Sequence, residues 1–188
     1  CWDSHKMMGL PLVCSAFLIK QPELLRKICS HGNVAHYLFL GDAEDIDLGR
    51  ISLQCGRRND ALKLFLAWRE KGDAGWARLV ENYIELADYL QSKVEAHTNL
   101  EMMSSRVWSN VCIRYTADGI DHNGVNKTLR ERLVKTGNFM ISQSNIGEHI
   151  ILRPVISNPS VSKETIDDLV KEIVSIGDDI VRGIPFSN

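Results

Sequence analysis

The sequence predicts an α+β domain from about residue 59 to the C-terminus, with helices on one face of a mostly antiparallel sheet. Apolar residues recur at helical spacing through residues 59–71 and again through residues 73–95. Residues 107–115 then alternate between apolar and polar side chains, which is typical of a half-buried strand. Ser162 precedes a last helical pattern and is predicted to cap it. The apolar stripe of this closing helix comprises Ile166, Leu169, Val170, Ile173, Ile176 and Ile180.

The remaining elements are placed by periodicity and by turn residues. Gly72 is expected to separate the two long helices, because glycine readily adopts the backbone conformation that ends a helix. Shorter helices are predicted at residues 21–28 and 126–135. Additional strands are predicted at residues 8–19, 51–55, 139–142 and 150–156. Residues 143–148 are expected to form the loop between the last two of these strands.

Composition and charge exclude several classes of protein. The net charge of the 188 residues is −2, so the sequence indicates neither a basic nucleic-acid surface nor an acidic tail. Lys20 closes the first apolar run well short of a membrane span, and no basic start precedes that run as in a signal peptide. Because the chain begins without methionine inside an apolar segment, we expect a fragment, a processed product or a chain lacking its front half.

The five cysteines favour reduced thiols in a cytoplasmic protein, because their number is odd and no two have C-x-x-C spacing. Cys29, His31 and His36 are close enough in sequence to suggest a zinc site. No fourth ligand is evident, so we expect no metal and interpret these three side chains as free groups on a loop.

Lys6 is the strongest candidate for a catalytic residue. It follows His5 and precedes residues 7–19, a run that is almost free of charge. A lysine that faces an apolar interior loses hydration, which favours its neutral amine. An aldehyde cofactor needs a neutral amine to form a Schiff base, so a lysine that carries pyridoxal phosphate is one interpretation. On local features alone, a partly buried structural lysine is the other.

Residues 29–49 form an unusual connection, because glycines and acidic residues surround an aromatic and apolar centre at residues 37–40. Long irregular connections of this kind often serve as active-site lids. The alternative is an edge strand over residues 35–40 that packs against a neighbouring strand.

Several stretches of the chain jointly resemble the group II pyridoxal-phosphate-dependent amino acid decarboxylases, and most closely their glutamate and cysteine-sulfinate branch. These stretches are Trp2-Asp3-Ser4-His5-Lys6-Met7-Met8-Gly9, Tyr37-Leu38-Phe39, Cys55-Gly56-Arg57-Arg58, Asp60-Ala61-Leu62-Lys63-Leu64 and Arg153-Pro154-Val155-Ile156-Ser157-Asn158-Pro159. They occur in the family's order and cover essentially the whole chain, which corresponds to the C-terminal part of a family member.

The resemblance implies an α/β fold class and the C-terminal part of a fold-type I pyridoxal-phosphate enzyme. Residues 1–58 would be the end of the large cofactor domain, including a catalytic loop at residues 29–49. Residues 59–188 would be the small α+β C-terminal domain.

The same resemblance assigns roles to individual residues. Lys6 would hold pyridoxal 5'-phosphate covalently, and His5 would help to anchor its phosphate. Asp3 stands where relatives often have Asn, also near the phosphate, and an ionised Asp3 would repel that group unless its side chain turns away. Tyr37 matches the tyrosine of a mobile catalytic loop that reaches the other subunit, where a phenol can deliver a proton. Arg153 matches an arginine that binds a substrate carboxylate.

These residue types suit the decarboxylation of an acidic L-amino acid. The planar guanidinium of Arg153 can form two parallel hydrogen bonds with a carboxylate. Tight pairing with the departing α-carboxylate would stabilise the ground state, so a distal acid is the more sensible partner. Glutamate, aspartate and cysteine sulfinate are therefore the expected substrates. The alternative for Arg153 is a structural ion pair.

The resemblance also implies partners, and it leaves alternatives open. We expect the N-terminal portion of the same enzyme, a homodimer of the complete protein and a small amino acid as partners, without nucleic acid or membrane. Residues 143–145 differ from the Gly-Tyr-Gln that the mammalian branch usually shows, which leaves the choice of substrate open. A decarboxylase for diaminobutyrate or an aromatic amino acid is an alternative function. Aldehyde-forming or transamination chemistry is a further alternative. A non-catalytic fragment that serves in folding or subunit interaction is the alternative outside enzymology.

Overall fold

The structure is a computed structural model that describes residues 1–29, 48–54 and 56–186. Within these ranges the chain forms two compact units, one of residues 1–6 and 10–70 and the other of residues 7–9 and 71–188. The domain boundary at residue 58 stays a prediction. The expected loop or edge strand at residues 35–40 lies outside the described residues, as do His31, His36, Tyr37 and Cys55.

Among the described residues of the first unit, little regular structure precedes the long helix. Strands β1 (Trp2–Asp3) and β2 (Ser15–Ala16) pair in antiparallel fashion. Helix α1 (Pro22–Cys29) confirms the short helix predicted at residues 21–28. A 3-10 helix covers Leu48–Ile51, and none of the described residues 51–54 is a strand, so the strand predicted there is wrong.

The buried strand predicted over residues 8–19 is also wrong. Only Ser15 and Ala16 are in a strand, and Leu12 and Leu18 expose 73% and 84% of their surface. An apolar run becomes a buried strand only when neighbouring strands flank it. Among the described residues of this unit, β1 is the one paired neighbour of β2, which leaves most of the run uncovered.

Helix α2 (Asp60–Glu95) belongs to both units and is interrupted at Gly72, where φ is 63° and ψ is 175°. This break confirms the predicted boundary between two helices, because a positive φ is readily available to glycine. The buried side chains of the second segment form the expected stripe. They are Trp76, Tyr83, Leu86, Ala87, Leu90 and Val94.

The second unit is a four-stranded antiparallel sheet packed with helices, and it confirms the predicted α+β arrangement. The strands are β3 (Leu100–Met102), β4 (Ile113–Tyr115), β5 (Ser142–Ile146) and β6 (His149–Arg153), in the order β3-β4-β6-β5. Helices α3 (His122–Lys135) and α4 (Lys163–Val181) follow β4 and β6. Side chains from α2, α3, α4 and the sheet share one hydrophobic core. No helix of the described residues is long and apolar enough to cross a bilayer.

Several strand boundaries differ from the prediction, and the strand expected over residues 139–142 shares only Ser142 with β5. The strand expected over residues 107–115 is reduced to β4, and Val107 is 61% exposed although Val111 is fully buried. The loop expected at residues 143–148 is largely β5, which pairs with β6 along its whole length. Gly147, with φ at 58°, lies in the short turn between these strands, so a tight hairpin replaces the expected loop.

A buried asparagine attaches α3 to the centre of the sheet. Asn126 is fully buried, and its Oδ1 accepts a hydrogen bond from the backbone N–H of Tyr115 at 2.8 Å. Its Nδ2 donates to Tyr115 O and to His122 O, both at 2.8 Å. The Asn126 side chain therefore provides hydrogen-bond partners for backbone groups that would otherwise be buried without them.

Helix α4 is capped as predicted and closes the core. The Ser162 hydroxyl accepts from the Thr165 N–H, and the Thr165 hydroxyl accepts from the Ser162 N–H. Gly177, on the buried face of this helix, lies directly against the ring of Tyr115. A Cβ at this position would overlap several ring atoms, so the close approach of α4 to β4 requires glycine.

Gly177→Ala is therefore expected to lower the free energy of unfolding by about 1 kcal/mol. Overpacking a core by one methyl costs ~1–3 kcal/mol, and the buried Tyr115 ring, whose hydroxyl donates to Asp178 Oδ1 at 2.6 Å, has little room to move. Alanine recovers about 1 kcal/mol through its helix propensity. Denaturant unfolding should show the loss, whereas Gly75→Ala, at a helical site without a ring overlap, should be neutral or stabilising. Equal midpoints for the two variants would contradict the packing argument.

Candidate active site

The candidate lysine lies in a tight turn between β1 and β2. The N–H of Lys6 donates to Asp3 O at 3.0 Å, and the N–H of Leu10 donates to Ser4 O at 3.2 Å. The two short strands pair Asp3 with Ser15. This local folding brings Asp3, His5 and Lys6, which the sequence singled out, into one cluster with residues from β2.

The amine of Lys6 is accessible. Its side chain is 70% exposed, and its Nζ lies 2.7 Å from Asp3 Oδ2. The apolar burial expected from residues 7–19 is therefore not observed within this unit. The lysine is instead an exposed amine with one carboxylate partner, in a position where a reagent can reach the nitrogen.

The carboxylate of Asp3 is fixed from two sides. Ser15 Oγ donates to Asp3 Oδ1 at 2.7 Å, while Oδ2 is paired with the Lys6 ammonium. The hydrogen bond from Lys6, and then that from Ser15, hold the pKa of Asp3 below its ordinary value. Asp3 is therefore an anion near neutral pH, and both of its oxygens already have donors.

One ring nitrogen of His5 is anchored to the backbone. Its Nδ1 lies 3.2 Å from Cys14 N and 2.9 Å from Cys14 O, so either tautomer finds a partner on Cys14. The His5 N–H also donates to Cys14 O. Nε2 has no partner among the described residues, which leaves this nitrogen available to a ligand.

Ser4 supplies a polar atom that the sequence analysis did not identify. Its side chain is 1% exposed, and its Oγ has no hydrogen-bond partner among the described residues. A buried hydroxyl without a partner is uncommon in folded proteins. It lies between the two residues expected near the phosphate, but serine is too frequent for its identity alone to have indicated a role.

Lys63 fixes the segment that leads into β2. Its Nζ donates to Leu12 O at 3.2 Å and to Val13 O at 3.0 Å, and it pairs with Asp60 Oδ1 at 2.8 Å. Cys14 Sγ donates to Asp60 O at 3.4 Å. Residues at the start of α2 thus hold residues 12–14 in place, and Cys14 in turn contacts the His5 ring. The spacing of Asp60 and Lys63 could have indicated their ion pair, but not the contacts with carbonyls some fifty positions earlier.

Arg153 is the last residue of β6 and belongs to the second unit. It pairs across the sheet with Ser142, the first residue of β5. The side chain is exposed and forms no ion pair with any residue that the structure describes. The guanidinium is therefore available to an external carboxylate, and the alternative of a structural ion pair finds no partner within the described chain. Tyr37 lies outside the described residues.

Comparison with known proteins identifies the family. The model of the pyridoxal-dependent decarboxylase conserved domain matches residues 1–116. The cysteine sulfinic acid decarboxylases of Mus musculus and Homo sapiens are each 32% identical over 194 residues, covering 95% of this chain and 39% of theirs. The chain thus spans well under half the length of these relatives.

Solved structures agree in fold. The crystal structure of mouse CSAD superimposes with a TM-score of 0.80 at 29% identity, over 94% of this chain and 39% of that chain. A tryptophan decarboxylase of Catharanthus roseus gives a TM-score of 0.74 over 86% of this chain and 34% of that one, but at 22% identity this likeness concerns the fold alone. The predicted class, the C-terminal part of a fold-type I enzyme, is confirmed. The chain belongs to the family of pyridoxal-dependent decarboxylases.

Proposed function

We propose that the complete protein containing this chain decarboxylates an acidic L-amino acid with pyridoxal phosphate held on Lys6. The observation that carries the proposal is the Lys6 turn, where an accessible amine lies beside an anchored histidine in a chain of this family. The cofactor supplies an electron-accepting ring that makes the bond between Cα and the carboxylate breakable. The side chains of this chain bind the cofactor and the substrate and orient them.

The side chains of the turn fit such a cofactor in part. Lys6 offers the amine that its aldehyde requires. The Nε2 of His5 and the Oγ of Ser4, which have no partner among the described residues, are suitable donors for a phosphate. Asp3 does not suit this group, because it is an anion whose two oxygens are occupied by Lys6 and Ser15. Asp3 is therefore a poorer phosphate ligand than His5, and its place near the phosphate stays a prediction from the family resemblance.

Substrate selection is assigned to Arg153. Its guanidinium, which forms no ion pair within the described chain, can form a bidentate pair with the distal acid of glutamate, aspartate or cysteine sulfinate. The names of the two mammalian relatives make cysteine sulfinic acid the first substrate to test. The role of Tyr37 as donor of a proton to Cα stays a prediction from the family resemblance. We also infer an N-terminal portion that completes the site, and a homodimer.

Release of CO₂ by the complete protein tests the function. The protein should be supplied with pyridoxal phosphate and, in turn, with cysteine sulfinate, glutamate, aspartate and their uncharged amide analogues where these exist. We expect CO₂ and the matching amine from at least one acid, and much less from glutamine or asparagine. If the protein binds cofactor but releases no CO₂ from any of these acids, the proposed decarboxylation is wrong. Formation of an aldehyde in place of the amine would favour the alternative chemistry.

A further inference from the structure

The carboxylate of Asp3 is placed where it controls the amine of Lys6. The two charged groups are three residues apart in a turn that is closed by the hydrogen bond from Lys6 N to Asp3 O. Their side-chain atoms Nζ and Oδ2 are 2.7 Å apart. Ser15 holds the other carboxylate oxygen from β2, so the carboxylate cannot rotate away without losing a second bond.

We propose that Asp3 is the counter-ion of Lys6 in the cofactor-free protein, that this ion pair must open before the Lys6 nitrogen can react, and that it thereby slows capture of the cofactor. This inference rests on the proposed function, since it concerns the lysine that receives pyridoxal phosphate. It assigns Asp3 a positioning role toward Lys6. The role also explains why an acidic residue lies near the proposed phosphate site, because the carboxylate of Asp3 is paired with the Lys6 ammonium.

The chemistry of capture explains why an ion pair slows it. An ammonium has no lone pair, so Lys6 must release a proton to solvent before its nitrogen attacks the aldehyde carbon. A C–N bond forms, the aldehyde oxygen takes one proton from the nitrogen and one back from solvent and leaves as water, and the nitrogen keeps one proton in a charged C=N bond. Overall, one ammonium and one aldehyde give one protonated imine and one water. A carboxylate at 2.7 Å from Nζ must separate from the lysine before its nitrogen can approach the aldehyde carbon.

Other groups near the pair do not replace Asp3. His5 lies in the same turn, but its Nδ1 is occupied by the backbone of Cys14. Cys1 Sγ approaches Asp3 Oδ1 at 3.7 Å, a weak contact at an exposed position. From β2, the side chain that reaches the carboxylate is the uncharged hydroxyl of Ser15. Asp3 is therefore the one carboxylate paired with Lys6 among the described residues.

Two measurements on the complete protein test the proposal, one without cofactor and one with it. In the cofactor-free protein, a limiting amount of an amine-acylating reagent labels Lys6 and Lys20, and peptide mass spectrometry gives the ratio of the two. Lys20 is an exposed lysine without an ion partner in the described chain, so it serves as the internal reference. In a second sample, cofactor is added and borohydride is used at timed intervals to fix it on the protein.

Asp3→Asn keeps an oxygen for the Ser15 hydroxyl and removes the charge. We expect it to raise both the Lys6:Lys20 labelling ratio and the rate of cofactor fixation, by roughly two- to fivefold as befits an exposed ion pair. Asp60→Asn is the matched control, because Asp60 and Lys63 form an ion pair of the same spacing at 2.8 Å. It should leave the labelling ratio of Lys6 unchanged. If the role of Asp3 were purely structural, its replacement would instead slow fixation of the cofactor on Lys6.

The outcomes separate this inference from the proposed function. An unchanged or lower labelling ratio in Asp3→Asn overturns the counter-ion role, even if the cofactor is still fixed on Lys6. A raised ratio with faster fixation on Lys6 supports both. If no variant fixes cofactor on Lys6, the proposed function fails and the inference fails with it.

Discussion

Lys6→Ala should abolish decarboxylation by the complete protein and should leave no cofactor fixed to this part of the chain after borohydride treatment. Alanine has no amine, so the covalent link to the aldehyde cannot form and the cofactor is held by non-covalent contacts alone. The fold should survive, because the lysine side chain is 70% exposed and its one described ion pair is with Asp3. A nearly unchanged thermal midpoint would show that the loss concerns chemistry.

The location of the fixed cofactor decides the assignment. In the unaltered protein, the peptide that contains Lys6 should carry the reduced cofactor mass. Lys20→Ala is the matched control, since it removes another exposed lysine from the same unit and should leave both fixation and turnover intact. Labelling at Lys20 or Lys63 in place of Lys6 would show that the assignment of the lysine is wrong.

The parts of the fold that local sequence determines were the ones predicted well. The closing helix combines a cap, Ser162, with an apolar stripe of helical period, and both signals come from residues a few positions apart. The break at Gly72 is equally local. The hairpin of β5 and β6 was missed, because Gln143 and Asn145 are polar residues with little preference for strands. Their strand conformation is set by pairing with Leu152 and Ile150.

The site was predictable in its residue types but not in its contacts. The resemblance indicated Lys6, His5 and Asp3, and the structure places all three in one turn. The bond from Ser15 to Asp3 depends on the register of two strands of two residues each, for which periodicity gives no signal. The exposure of Lys6 could not be foreseen either, because the apolar run after it indicated burial without indicating which partner would provide it.

Arg153→Lys should weaken catalysis with an acidic substrate by about 1.5–3 kcal/mol in kcat/KM, or roughly 10- to 150-fold. Lysine keeps the charge but loses the planar fork that gives two parallel hydrogen bonds to a carboxylate. In the structure the guanidinium of Arg153 has no ion pair with any described residue, so its hydrogen-bonding capacity is available to a ligand. The position at the end of β6, paired with Ser142, holds the backbone firmly within the sheet.

A comparison of substrates separates this binding role from a structural one. Arg153→Lys should reduce the preference for glutamate over glutamine, or for aspartate over asparagine, because only the acids lose a bidentate partner. Arg114→Lys on the neighbouring strand β4 is the control, since this arginine is already bound by Glu101 Oε2 through Nε at 2.8 Å. It should leave the substrate preference unchanged. If Arg153→Lys lowers turnover of acid and amide equally, or changes neither, Arg153 does not bind the distal carboxylate.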